Sequence, residues 1–295
     1  LNDGAGAFSA ADGFPGGGAS TTAVAIGDVD GDGDLELLIG NENGDANELL
    51  LNRALGVFSA ADGLSGGSAS TWSASTWSAS TTRSVAIGDV DGDGDLDLLV
   101  GNDGGANEML LSDGLGNFRA TDGFPGGSGG AFDDGGVVAM GDVDGDGDLD
   151  YSTGYQLFLN DGLGNFIADV FYGGSGFTEA VAMGDVDGDG DLDLLVGKSD
   201  ANLLLLNDGH GNVSAVDGFP GGSASTYAVA MGDVDGDDDL DLLVGNYGAN
   251  ELLLTTTPHS PAARIAATLQ STPSSRSQWH SRLSLSSLFS ACCWS

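Results

Sequence analysis

Gly27-Asp28-Val29-Asp30-Gly31-Asp32-Gly33-Asp34-Leu35-Glu36 is the stretch that decides the fold. Acidic residues stand at alternate positions, and apolar runs flank them: Ala23-Val24-Ala25-Ile26 before and Leu37-Leu38-Ile39 after. The same pattern opens again at Asp89, Asp142, Asp185 and Asp233, a repeat with a period of about 50 residues. In-phase recurrence of this length overrides the prior of one or two unrelated domains for 295 residues.

Working outward from the loop, each unit reads as four short strands. A run of the type Ala23 to Gly27 enters the acidic loop, Leu35 to Gly40 leaves it, and Asn47 to Leu51 follows after a turn. Then come Asn-Asp-Gly or Asp-Gly-Leu-Gly clusters, which are turn signals because Gly supplies positive φ, and a fourth strand led by Phe8, Phe58, Phe118, Phe166 or Val213. Runs such as Leu194-Leu195-Val196 are apolar without alternation, the mark of strands covered on both faces. Gly and Asn bound them too closely for helices. The expected fold is therefore all-β, a β-propeller of four-stranded blades stacked face to face, with five repeats visible. A fragment of a seven-bladed ring is the alternative.

The units are unequal. The third is shortened through Tyr151-Ser152-Thr153-Gly154-Tyr155, which predicts a tight turn, and Ser-Ala-Ser-Thr-Trp is written twice between Ser68 and Thr82. The last unit lacks the turn and fourth strand that residues 1 to 10 resemble, so the N-terminal strand is expected to complete the last blade of a propeller spanning residues 1–254. Residues 255–295 have no acid and no Gly, are Ser-rich, and read as a disordered tail outside the fold. The chain opens in mid-repeat without Met, as a fragment would, and its only cysteines, Cys292 and Cys293, support no disulfide framework.

Seven Lys plus Arg against 45 Asp plus Glu give a formal net charge of -38, which argues against nucleic acid and anionic membranes as partners. No apolar stretch is long enough to span a membrane. More than half of the acids lie in the five loops, and 40% of the chain is hydrophobic, so the charge does not signal disorder.

Alternating short carboxylates around a tight turn present the hard oxygens that calcium collects in groups of six to eight. The candidate metal ligands are Asp28, Asp30, Asp32, Asp34 and Glu36 in the first loop, and Asp89, Asp91, Asp93, Asp95 and Asp97 in the second. The third loop offers Asp142, Asp144, Asp146, Asp148 and Asp150, and the fourth Asp185, Asp187, Asp189, Asp191 and Asp193. Asp233, Asp235, Asp237, Asp239 and Asp241 form the fifth. Counting from the first aspartate, positions 1, 3 and 5 offer side-chain oxygens, position 7 a backbone carbonyl, and position 9 a closing carboxylate. An EF-hand is excluded because its position 12 needs a bidentate Glu, where this chain has Ile39, Val100, Thr153, Val196 and Val244. Magnesium, which keeps several waters, suits an all-protein cage less well. Up to five structural Ca2+ ions are expected.

Gly88-Asp-Val-Asp-Gly-Asp-Gly-Asp-Leu-Asp-Leu-Leu-Val-Gly-Asn102 and its in-phase copies resemble the FG-GAP and VCBS repeats, the blades of integrin α-subunit-like propellers. The resemblance covers residues 1–254 and implies calcium in the loop at the matched positions. The functional reading set beside it is a calcium-stabilised extracellular or cell-surface module for binding or adhesion, presenting its loops to a protein or glycan ligand. Two loops depart from the pattern. Asp238 replaces the position 6 Gly, which predicts backbone strain and the weakest site, and Glu36 replaces the position 9 Asp.

Trp72 and Trp77 could stack on a sugar, although drift in a low-complexity loop accounts for them as well. The pairs Phe14-Pro15, Phe124-Pro125 and Phe219-Pro220 suit packing anchors. His210, His259 and His280 have no catalytic neighbours, and no nucleophile is evident. The reading is a binding module with no catalytic residues and no organic cofactor. The alternative is a propeller of a secreted carbohydrate-active enzyme such as a polysaccharide lyase.

Overall fold

The computed structural model describes residues 14–15, 18–42, 45–53, 57–61, 81–103, 105–121, 124, 136–171, 177–221, 225–255 and 265–268. Within them the protein is all-β and forms five four-stranded antiparallel sheets, each with its strands in sequence order, which are the blades of a propeller. Blade 1 joins β1 (Thr21–Gly27), β2 (Glu36–Asn41), β3 (Glu48–Asn52) and β4 (Phe58–Ala60). Blade 2 joins β5 (Thr81–Gly88), β6 (Asp97–Asp103), β7 (Glu108–Ser112) and β8 (Phe118–Ala120). Blade 3 joins β9 (Val138–Gly141), β10 (Asp150–Thr153), β11 (Gln156–Asn160) and β12 (Phe166–Phe171). Blade 4 joins β13 (Thr178–Gly184), β14 (Asp193–Lys198), β15 (Leu203–Asn207) and β16 (Val213–Ala215). Blade 5 joins β17 (Thr226–Gly232), β18 (Asp241–Asn246), β19 (Glu251–Thr255) and β20 (Ile265–Thr268).

Continuous apolar strands follow from this stacking. Leu194 and Leu195 are both fully buried although they point to opposite faces of one sheet. Leu194 packs with Val137 and Val181 on the side of blade 3, whereas Leu195 packs with Val229 and Leu242 of blade 5. First strands of successive blades touch, β1 with β5, β5 with β9, β9 with β13 and β13 with β17, and so line the inner side of an arc. Among the described residues no strand of blade 1 pairs with blade 5.

The shortened third unit becomes the tight turn expected, with only Gly154 and Tyr155 between β10 and β11. Tyr151, fully buried in β10, stacks on Phe158 at 4.6 Å and meets Phe166 edge-on at 4.9 Å, filling with aromatic rings what leucines fill elsewhere. Phe14 packs edge-on against Phe58, Phe124 stacks on Tyr151, and Phe219 lies on the core shared by blades 4 and 5.

The edge of blade 5 differs from the sequence reading. Ile265–Thr268, within the segment set aside as a disordered tail, supplies the fourth strand, with Leu254 facing Ala266 and Thr255 facing Ile265. Edge pairing uses backbone groups, so a short segment needs no repeat signature to join. Residues 1 to 10, expected at that edge, and Trp72, Trp77, His259 and His280 lie outside the described residues.

Candidate metal centres

Each acidic loop joins the first two strands of its blade, and its carboxylates divide the work. Position 1 ties the turn: Asp89 accepts the Gly92 and Gly94 N–H groups at 2.8 and 3.0 Å, and Asp28, Asp142, Asp185 and Asp233 act in the same way. Position 5 accepts the N–H two residues on, as Asp93 does from Asp95 at 3.0 Å. These bonds need a left-handed turn, and Gly33, Gly94, Gly147 and Gly190 at position 6 have φ of 90 to 99°. Asp238 takes that place in the last loop with φ 71°, so the strain read from the sequence is present there.

Position 9 is buried in every blade. Asp97 accepts the Val90 N–H and the Ser112 N–H, both at 2.8 Å, and so fastens the loop to the end of the third strand. Glu36 bridges Val29 and Asn52, Asp150 bridges Val143 and Asn160, Asp193 bridges Val186 and Asn207, and Asp241 bridges Val234 and Thr255. Burial pushes the Asp97, Asp150 and Asp193 carboxyls up to about 6 against the lowering effect of these N–H donors, and it raises Glu36 as well. This bridge was not visible in the sequence, where position 9 reads only as a closing ligand.

Carboxylate oxygens converge within 4.8 Å in all five loops. The groups are Asp28, Asp30 and Asp32; Asp89, Asp91 and Asp97; Asp142, Asp144 and Asp146; Asp185, Asp187 and Asp193; and Asp233, Asp235 and Asp241. Positions 1 and 3 are thus constant, and position 5 or 9 completes the trio. Burial and the neighbouring carboxylates raise the pKa of Asp30, Asp91, Asp144 and Asp187 at position 3.

The position 7 residues Asp34, Asp95, Asp148, Asp191 and Asp239 stand outside these trios. In three blades the side chain lies over a glycine of the turn between third and fourth strands. A Cβ on Gly114, Gly162 or Gly209 would overlap the carboxylate of Asp95, Asp148 or Asp191.

A cation fits this donor set. Asp28 Oδ1, Asp30 Oδ1, Asp91 Oδ1 and Asp187 Oδ1 are buried without a hydrogen-bond partner, an expensive arrangement for a charged oxygen unless a metal takes the lone pair. All donors are hard oxygens, which suits calcium.

The loops also connect blades, through residues that sequence reasoning missed. Asn160 Nδ2 of blade 3 donates to the Val90 carbonyl in the loop of blade 2 at 2.7 Å, and Asn207 Nδ2 of blade 4 donates to Val143 of blade 3 at 2.7 Å. Ser112 makes the shorter-armed equivalent to Val29 at 3.4 Å. The recurring Asn before Asp-Gly was the available signal.

The family model of the FG-GAP-like repeat matches residues 28–100, 89–153, 151–196 and 185–244. No curated protein matches the sequence. Among solved structures, the chain is similar to an Agrocybe aegerita lectin described as specifically recognising non-reducing terminal N-acetylglucosamine. The identity is 19%, the TM-score is 0.55, and the alignment covers 82% of this chain and 64% of the lectin. The V. cholerae biofilm matrix protein Bap1 aligns at 17% identity and TM-score 0.44 over 84% of this chain and 38% of its own. The chain therefore spans less than two thirds of either structure.

Proposed function

The chain belongs to the FG-GAP-like repeat family, and from that premise we propose that it is an extracellular, calcium-stabilised module that binds a glycan. The observation that carries the reading is the recurrence, in all five loops, of three carboxylates within 4.8 Å, several with buried oxygens that lack a partner. Positions 1, 3, 5 and 9 are the proposed ligands, and position 7 contributes through its backbone carbonyl. The role of calcium is structural. When bound, it neutralises carboxylates that otherwise repel one another across a few ångströms. The protein's own residues set the rest: position 9 anchors the loop to the third strand, and the Asn hooks carry that order into the neighbouring blade.

Extracellular calcium modules have dissociation constants of about 0.1 to 1 mM, so near-millimolar calcium stabilises each site by roughly 0.4 to 1.4 kcal/mol. Five such sites supply about 2 to 7 kcal/mol, a large share of the ~5 to 15 kcal/mol that holds a domain together. On this reading the chain is a frame outside the cell, where calcium is near-millimolar, that presents its loops to a partner. A glycan is favoured by the lectin fold, and polyanions are disfavoured by a net charge of -38. Thermal melts with calcium and with EDTA, followed by a glycan array in calcium, test both parts. Melting should fall by many degrees in EDTA, and an unchanged melt would remove the metal reading. A blank array would remove the glycan reading alone.

A further inference from the structure

One position in the blades is built alike and filled differently. In four blades the first strand carries a β-bulge near its start: between Thr21 and Ala23, Thr82 and Ser84, Thr178 and Ala180, and Thr226 and Ala228. The residue before each bulge is always Thr. Thr82, Thr178 and Thr226 are buried, and their hydroxyls bond to Asn102 at 3.0 Å, Gly154 at 2.8 Å and Asn246 at 2.8 Å. The bulged residues are Thr22, Arg83, Glu179 and Tyr227. In a chain that otherwise repeats itself so closely, a constant frame that presents four different side chains has the form of a recognition position, because a bulge re-aims the residue it carries.

Three of the four meet. Blade 3 is short at this end, and Arg83 of blade 2 reaches past it to Glu179 of blade 4, Nη1 to Oε2 at 2.9 Å. Its Nε and Nη2 are held by Asp103 at 3.0 and 2.7 Å. Arg83, Glu179 and Tyr227 line one cleft, with the buried Val137 and Val181 also in its wall. Tyr227 is exposed, and beside it Tyr247 is 79% exposed, the two rings 6.2 Å apart and inclined at 66°. Strand order places this cleft at the ends of the blades opposite the acidic loops, so a ligand here would not compete with metal.

We propose that the mouth of this cleft, whose enclosed space of about 20 Å³ holds no more than a water, is a saccharide site on which one neutral hexose unit lies against the exposed tyrosines, an inference that rests on the glycan-binding reading above. The Tyr227 and Tyr247 rings offer apolar faces to the C–H side of a sugar while each keeps a polar tip for a hydroxyl. Arg83, Glu179 and Asp103 supply donors and acceptors already fixed by one another, so little ordering cost remains. One guanidinium between two carboxylates leaves no excess positive charge, which disfavours uronic or sialic acids.

The test uses the full chain in calcium, with the methyl glycosides of glucose, galactose and mannose as probes in saturation-transfer NMR. At least one should bind, insensitively to salt. Tyr227→Ala and Glu179→Gln should each weaken it by about tenfold or more, the loss of one stacking or charged contact, with Tyr227→Phe in between, losing the hydroxyl contact and keeping the stack. Calcium-dependent melting of each variant confirms its fold. No transfer to any of the three glycosides overturns the proposal. So does binding that survives Tyr227→Ala unchanged, and in that case an array signal still standing would locate the glycan elsewhere and leave the parent reading intact. Binding that collapses with added salt would mark a charged ligand and overturn it too.

Discussion

Blades 4 and 5 are near copies in sequence and differ in what lies next to them. Leu195 of blade 4 is fully buried, whereas Leu243 at the same register of blade 5 is 41% exposed. Val186, second residue of the fourth acidic loop, is buried, and its counterpart Val234 is exposed. Gly190 relaxes the turn in one loop and Asp238 strains it in the other. Identical residues are therefore worth different amounts according to whether a further blade covers them. The repeat defines the unit, and the neighbour supplies much of the stability.

The widest gap should come from the core. Leu195→Ala is expected to cost about 3 kcal/mol, and Leu243→Ala less than about 1, by chemical denaturation. Equal costs would mean that something covers the outer face of blade 5 in solution. Next, Asp193→Ala orphans the Val186 and Asn207 N–H groups, with a loss of about 2 to 4 kcal/mol even in EDTA. Asp241→Ala should cost about half as much, since the exposed Val234 N–H can find water. A loss seen only in calcium would make position 9 a pure ligand and dissolve its bridging role.

A pH series sharpens the same point. The Asp97, Asp150 and Asp193 carboxyls protonate near 6 in the fold and near 3.8 when unfolded, so the folded state binds more protons in that window. Stability of the metal-free protein should accordingly rise as pH falls from 7 towards 5, and fall again on returning through 6. A flat or opposite slope in EDTA would show that these groups are not desolvated as described. The smallest effect belongs to the strained turn. Asp238→Gly should stabilise by about 1 kcal/mol, and Gly190→Asp should destabilise by about as much.

What the sequence made legible was whatever recurs in phase. The acidic loops, the four-strand unit and the face-to-face burial all follow from Asp28 to Glu36 and its copies. Position 9 reads as a closing ligand at the start of the second strand, and it does open that strand in every blade, but its two N–H partners sit up to 16 residues away and leave no local trace. The strand Ile265–Thr268 joins by backbone pairing, which composition cannot show. The bulges were hidden for a related reason: Thr22, Arg83, Glu179 and Tyr227 look like drift until register aligns them. Sequence repetition advertises the frame and conceals the positions where the frame is meant to vary.

The Asn hooks tie successive blades of the arc together. Each reaches backwards, from the third strand of one blade to the loop carbonyl of the blade before it, as Asn160 does to Val90 and Asn207 to Val143. Loss of order in one blade thus frees the loop carbonyl behind it and also strips the Asn of the blade ahead of its acceptor, while the cores shared on both faces lose cover on both sides. An unfolding front that starts in blade 4 would therefore spread to both neighbours, so hydrogen exchange should rise together in adjacent blades, as in a zip fastener opened from the middle.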